Sequence, residues 1–260
     1  MYELIILLLS GLGAGIVTGL IGLSAVNIVA PLLVIFLGYP IYIAIGLALG
    51  IDVFASISSS IIYWKKGKTS WKPAAIIVLF SLIGVFLGSH FGNFIPSDYL
   101  TILVGVGISF IGFDLFKKGL LKKETSSLHA HKFISKHKKL FVFLGSMIIG
   151  LIAGFFGGGG GLMILILLIS IFNFKIHKAI GTSVLAMIFI AFFGSLFHYI
   201  NIPFSISDLL TAGIVALFAG AITSTYANKL NEFSLKKISG LIILLLGLGM
   251  EIKALISIIY

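Results

Sequence analysis

Gly150-Leu151-Ile152-Ala153-Gly154-Phe155-Phe156-Gly157-Gly158-Gly159-Gly160-Gly161 is an apolar stretch ending in five consecutive glycines, and a run of 11 residues, Leu162–Phe172, is all that follows before Asn173. A helix of that length reaches about 16 Å, well short of a hydrocarbon core about 30 Å thick. The run before the glycines, Leu140–Gly157, is long enough to enter a membrane. The two together read as a helical hairpin that bends inside the bilayer and has a short second arm. Irregular backbone at that depth is tolerated only where protein or a wet cavity satisfies it, so such a bend is buried or lines a pathway.

The same pattern occurs earlier, as Gly15-Ile16-Val17-Thr18-Gly19-Leu20-Ile21-Gly22-Leu23-Ser24-Ala25-Val26-Asn27 leading into the short run Asn27–Gly38. A shift of 135 residues places Gly15 on Gly150, Gly19 on Gly154, Gly22 on Gly157, Ala44-Ile45-Gly46 on Ala179-Ile180-Gly181, and Ser60 on Ser195. Matches in order at a single shift indicate an internal duplication. Working outward, the first half holds Leu4–Gly22, the short Asn27–Gly38, Ile41–Trp64, Pro73–Gly92 and Tyr99–Phe116. The second holds Leu140–Gly157, the short Leu162–Phe172, Ala179–Tyr199, Leu209–Ala227 and Ile238–Ile256. The expected fold is an all-α integral membrane protein of two repeats, residues 1–119 and 139–260, joined by a basic loop at 120–138. Each repeat is a hairpin plus three transmembrane helices, giving 8–10 membrane segments in all.

Composition excludes most other classes. Apolar residues make up 59% and charged residues only 10% of 260, against about 25% charged in a soluble domain. The net charge of +10 comes from lysines, nearly all of them in short gaps between apolar runs, which fits a positive-inside pattern and not nucleic-acid binding. Cysteine and arginine are absent, which removes thiol chemistry and guanidinium clamps. Met1-Tyr2-Glu3-Leu4 lacks the basic flank of a signal peptide, so the first run is read as a packed membrane helix.

Lysine placement assigns the halves opposite orientations. The gap after Trp64 carries Lys65, Lys66, Lys68 and Lys72, while its counterpart Asn201-Ile202-Pro203-Phe204 has none. The gap Asn93–Asp98 has none, while its counterpart carries Lys229, Lys236 and Lys237. Eight lysines between Lys117 and Lys139 put the central loop in the cytoplasm and both termini outside. Inverted-topology repeats are typical of secondary transporters, whose solute sits near the midplane at the repeat interface.

The candidate site residues follow from that placement. Glycine bends opening short helices present main-chain N–H groups and a helix N-terminus, which together hold an anion without a cationic side chain. Ser24, Ala25 and Asn27 at the first bend and Gly158, Gly159, Gly160 and Gly161 at the second are therefore the expected solute contacts, with capping of the first short helix the other reading of Asn27. Thr182 and Ser183, after the second Ala-Ile-Gly triplet, either offer hydroxyls to the solute or bond back to their own helix. Asp52, deep in its span, is a candidate for coupling transport to H+ or Na+, or a paired acid between helices. His198 and His90 lie near expected outer ends, where a wet interfacial histidine competes with a proton role. His129, His131 and His137 read as part of a solvated loop and not a metal site, and lysines of that loop face lipid headgroups. No nucleotide or cofactor motif is present, so none is expected, and a homodimer is compatible with the sequence.

Gly15-x3-Gly19-x2-Gly22-Leu-Ser-Ala-Val-x4-Pro31, then Ala44-Ile45-Gly46 and Tyr63-Trp64-Lys65-Lys66-Gly67, resembles the first half of the TauE/SafE sulfite-exporter family. Gly154-x2-Gly157-Gly158-Gly159-Gly160-Gly161, Ala179-Ile180-Gly181-Thr182-Ser183 and His198-Tyr199 are similar to its second motif. The resemblance spans nearly the whole chain and implies a multi-spanning permease in the cell membrane for sulfite, sulfonates or related sulfur-containing or organic anions. The chain departs from the family pattern at Ser24-Ala25-Val26, at Leu47-Ala48 and at Ile166. A passive anion channel, an intramembrane lipid-modifying enzyme and a non-transporting scaffold or sensor are the competing readings, and no enzyme is expected because Asp52 has no partner at catalytic spacing.

Overall fold

A computed structural model describes residues 1–120, 138–158, 160–227 and 232–259. Ten helices account for nearly all of them: α1 (Tyr2–Ile21), α2 (Val26–Leu37), α3 (Ile41–Lys65), α4 (Trp71–Gly92), α5 (Ser97–Leu120), α6 (Lys138–Phe156), α7 (Gly160–Phe172), α8 (Ile176–Asn201), α9 (Ile206–Tyr226) and α10 (Glu232–Ile259). Eight are long and apolar enough to cross a membrane, and the two that are not, α2 with 12 residues and α7 with 13, are the expected short arms. The chain is an all-helical, multi-pass membrane protein. Its outer surface is apolar, with Leu79, Phe110, Phe218, Ile222 and Leu245 each at least 60% exposed, while Asp52 and polar side chains such as Thr18, Ser24, Asn27 and Ser56 lie inside. That inversion of the usual soluble pattern is what a lipid solvent selects.

The helix ends come in matching pairs. Gly22 stops α1 in the left-handed region (φ 74), and Gly157 does the same after α6 (φ 68). Gly38 (φ 70) and Asn173 (φ 53) close the two short arms, where Tyr39 N–H bonds Leu33 O and Phe174 N–H bonds Leu168 O, both at 3.2 Å. Glycine and asparagine are the residues that tolerate this cap best.

Packing pairs match under the same shift. α1 lies along α9 and α6 along α4, with Gly15 against Ala216 and Ala219 and Gly150 against Ser81. Gly46 faces His198 where α3 crosses α8, and Gly181 faces Tyr63 at the other end of that pair, so α3 and α8 run antiparallel. α5 and α10 are antiparallel too, with Gly105 against Gly247 and Gly112 against Gly240. Lys66 caps the end of α9, its Nζ donating to Ser224 O and Thr225 O at 3.0 Å each.

Three boundaries at charged helix ends differ from the hydropathy reading. α5 continues to Leu120 and α6 starts at Lys138, so Lys117, Lys118, Lys138 and Lys139 are helical and not in a loop. α10 begins at Glu232, six residues before the apolar run that marked it, because helix continues through a charged end that a hydropathy window discards. The central loop from residue 121 to 137, with its three histidines, lies outside the described residues.

Candidate functional site

The two bends meet. A Cβ added to Gly161 would lie 2.7 Å from Gly22 O and 2.9 Å from Ser24 N, and one added to Gly158 would lie 2.5 Å from Asn27 Oδ1. Only glycine allows the second bend to approach the main chain of the first so closely. Each bend also rests on the opposite triplet: Gly157 against Ile45 of α3, and Gly22 against Ile180 and Ser183 of α8. The start of α2 and the start of α7 thus converge in the interior. Gly159 lies outside the described residues.

Asp52, fully buried on α3, is tied to the first bend. Ser24 Oγ donates to its Oδ2 at 2.8 Å, and Ser56 Oγ lies 3.3 Å and Thr18 Oγ1 3.2 Å from Oδ1. No lysine or histidine among the described residues forms an ion pair with it. Thr18 Oγ1 also lies 3.0 Å from Leu23 O, so its single hydrogen has two acceptors to choose between. The second half fills the same places with Met187 for Asp52, Ala153 for Thr18, Gly159 for Ser24 and Ala191 for Ser56. The bend folds there without a polar cage. Thr18 was missed by the sequence reading, since a lone threonine in a glycine-rich span has no partner visible in the sequence.

Of the expected contacts, Ser24, Ala25, Asn27, Gly158, Gly161 and Ser183 come together at the bends. Gly160 sits just behind, facing Ala153 and Met187. Thr182 does not join them: its Oγ1 donates to Lys178 O at 2.7 Å and accepts the Ser70 N–H at 3.1 Å, at the α3–α4 link. Ser183 reaches the bend, but its hydroxyl donates to Ile180 O at 2.9 Å.

His198 is buried, not interfacial as its position near the end of its span suggested. Its Nε2 is 2.9 Å from Gly154 O, and its ring packs on Tyr42 with 4.1 Å between centroids. A carbonyl only accepts, so Nε2 carries the hydrogen. The equivalent bond in the first half runs from Tyr63 Oη to Gly19 O at 3.1 Å. Histidine and tyrosine therefore hold the two hairpins in the same way. His198→Tyr is expected to keep both fold and ion-gradient dependence of uptake; loss of gradient dependence with the fold intact would put His198 in the coupling path. His90 is exposed and packs edge-on against Phe91 and Phe94.

Beside the bends, between α5 and the second hairpin, lies a cavity of ≈ 460 Å³ that reaches Asn27 and Gly158 at one end and Asp114 among its other walls. Its remaining lining is apolar.

Two short helices whose starts meet beside a buried acid, inside a multi-pass helical bundle, fit the membrane-transporter class. The family model for the sulfite exporter TauE/SafE matches residues 7–250, and the chain belongs to that family. It is similar to "Probable membrane transporter protein YdhB" of Bacillus subtilis (strain 168), 29% identical over 231 residues covering 85% of this chain and 89% of that protein. It is also similar to "Probable membrane transporter protein YunE" of the same organism, 23% identical over 97% of this chain and 99% of that protein. A "Probable membrane transporter protein" of Xylella fastidiosa (strain Temecula1 / ATCC 700964) is 29% identical over 71% of this chain and 70% of its own length. No solved structure matches. The chain is a membrane transporter.

Proposed function

We propose that the chain is a secondary carrier for a small anion, of the sulfite, sulfonate or related sulfur-containing or organic kind, working by alternating access at the meeting point of the two bends. The observation that carries this reading is the contact of Gly158 and Gly161 with Asn27, Gly22 and Ser24, which brings two short-helix N-termini together in the interior, and among the described residues no cationic side chain contacts them. Main-chain dipoles are then the available counter-charge for an anion. In this conformation the bends touch, so solute entry requires them to part.

The two halves are inverted relative to one another in this reading. Support comes from the antiparallel α3–α8 and α5–α10 pairs, because repeats related by an axis along the membrane normal would run parallel. Glu3, Tyr39 and Asp208 cluster at one end, with Tyr39 Oη donating to Asp208 at 2.7 Å, while Lys66 lies at the other end of α9. The lysine-rich end is cytoplasmic and both termini are outside. Tags on either terminus are expected to react with impermeant reagents on intact cells; a cytoplasmic C-terminus would overturn the inversion.

Alternating access is supported by a difference between otherwise matching halves. α10 packs along α2, with Lys253 Nζ donating to Val34 O and, at 3.4 Å, to Ile35 O, whereas α5 makes no comparable contact with α7 and the cavity lies there instead. Lys118, 135 residues before Lys253, pairs with Asp114 at 2.6 Å. Exchange of the two arrangements would close α5 onto α7 and open α10 from α2. Gly249 abuts Ile35, and the matching positions are Asp114 and Ser170. Cysteines placed at Asp114 and Ser170 are expected to cross-link during turnover; no cross-link under any condition in an active carrier would exclude this exchange.

Asp52 is the coupling group, and a proton is the coupling ion. When Thr18 donates to Leu23 O, its contact with Asp52 Oδ1 is satisfied by a proton on the carboxyl. Absence of the cage from the second half argues that it serves transport and not folding. Uptake by proteoliposomes, screened over sulfite, thiosulfate, small sulfonates and carboxylates under imposed H+ or Na+ gradients, tests the whole reading. Accumulation above equilibrium separates a carrier from a channel, and accumulation driven by Na+ alone would exclude the proton.

A further inference from the structure

Asn27 holds an acceptor with no hydrogen-bond partner among the described residues. The side chain is fully buried, and its Nδ2 donates to Ser24 O at 3.1 Å. A carbonyl cannot donate, so this bond fixes which end of the amide is which. Oδ1 is then that acceptor. A buried acceptor of this kind is rarely kept without a use, because leaving it unpaired is costly. It lies against Gly158 and is covered in this conformation, while both residues line the ≈ 460 Å³ cavity, so a guest reaches the oxygen when the bends part. Leu162 stands at the equivalent position of the second half, so the bend folds without an amide there.

The rest of the cavity wall has a different character. Phe156 and Met163 face it, Phe110, 71% exposed, forms its lipid-side rim, and Gly107 lines it with nothing within 4 Å of where a Cβ would stand. The chain leaves open a volume that a side chain would occupy without strain. Asp114 is the other polar residue of the wall, and its charge is paired with Lys118 at 2.6 Å, so Asn27 is the polar group left to orient a guest in a mostly apolar pocket of small-molecule size.

We infer that this cavity receives the solute, and that the solute is an organic anion with an apolar body and an O–H or N–H donor. The donor bonds Asn27 Oδ1, the body lies among Phe110, Phe156 and Met163, and the negative group faces the opening of α7 at Gly158. The inference rests on the carrier reading above. A bare, fully deprotonated oxyanion brings only acceptors, so it leaves Oδ1 unpaired and the apolar wall uncovered. A site built to pair with a donor discriminates against analogues that lack one.

Two matched pairs of probes test this: para-hydroxybenzenesulfonate with benzenesulfonate, and hydroxyethanesulfonate with ethanesulfonate. Affinities come from protection of the purified protein against thermal unfolding, and uptake of the same anions is measured in proteoliposomes. The hydroxylated member of each pair is expected to bind about tenfold more tightly, and the aromatic pair more tightly than the ethyl pair. Asn27→Leu should erase the hydroxyl preference while benzenesulfonate still binds. Gly107→Leu should expel the aromatic pair and spare the ethyl pair. Equal binding within each pair, or a hydroxyl preference that survives Asn27→Leu, overturns the pocket while uptake leaves the carrier reading standing. A retained lipid chain that Gly107→Leu displaces without altering the sulfonate affinities overturns it as well. Absence of uptake of sulfite and every sulfonate and carboxylate in the screen would overturn the carrier reading and the pocket together.

Discussion

Asp52→Asn is expected to give a folded protein that still exchanges its solute but no longer accumulates it against a gradient. Asparagine accepts the Ser24 hydroxyl as the carboxyl does at 2.8 Å, and its NH2 can donate to Thr18, so the cage keeps its geometry. What it loses is the ability to gain and release a proton. One charge moving through 100 mV carries about 2.3 kcal/mol, which is roughly 40-fold in accumulation, and that factor should disappear. Counterflow in proteoliposomes with no imposed gradient should persist. Unchanged gradient dependence in Asp52→Asn would reassign the acid to holding α3 against the first bend.

The other large effect is expected at Gly161. A valine Cβ there would meet Gly22 O at 2.7 Å and Ser24 N at 2.9 Å, and both are main-chain atoms that cannot rotate away. The bends must separate to accept it. Valine suits the α7 helix at least as well as glycine does, so expression and helical content should survive. A displacement of about 1 Å at a positioned site costs on the order of a hundredfold in rate, and uptake should fall by at least that much. Gly67→Ala is the matched control. Its φ of 66 makes alanine mildly strained, yet nothing lies within 4 Å of the new Cβ and no part of the proposed site is near. Uptake by Gly67→Ala should stay within about twofold of the parent, since the strain of about 1–2 kcal/mol is local to the turn. Normal uptake by Gly161→Val would detach transport from the meeting of the bends.

The architecture was readable because apolar run length and glycine placement are written directly in the sequence. Runs of 11–13 residues cannot span a bilayer, so the short arms were legible before any helix was placed, and they coincide with α2 and α7. What stayed hidden depends on which faces of different helices meet. Thr18 and Asp52 are 34 positions apart, and only the packing of α1 on α3 brings them to 3.2 Å. His198 was read from its position along a helix, which says nothing about whether α6 lies over it; the Gly154 carbonyl does. Comparing the halves recovers part of this, since Tyr63 and His198 share a place at the shift of 135, but unlike residue types hid the match. Thr182 shows the reverse error. Next to Ser183 in sequence, it points about 100° away on the helix and meets Ser70 instead.

The central claim is that a solute binds where the two bends meet once they part, and a single introduced cysteine probes it directly. The chain has no cysteine of its own, and Ala25 is fully buried at the first bend. In Ala25→Cys the thiol is expected to react with a small methanethiosulfonate reagent during turnover, and saturating transported sulfonate should slow that reaction about tenfold or more, as full occupancy of one shared site requires. A thiol that reacts at the same rate with and without a solute the variant still transports would contradict it.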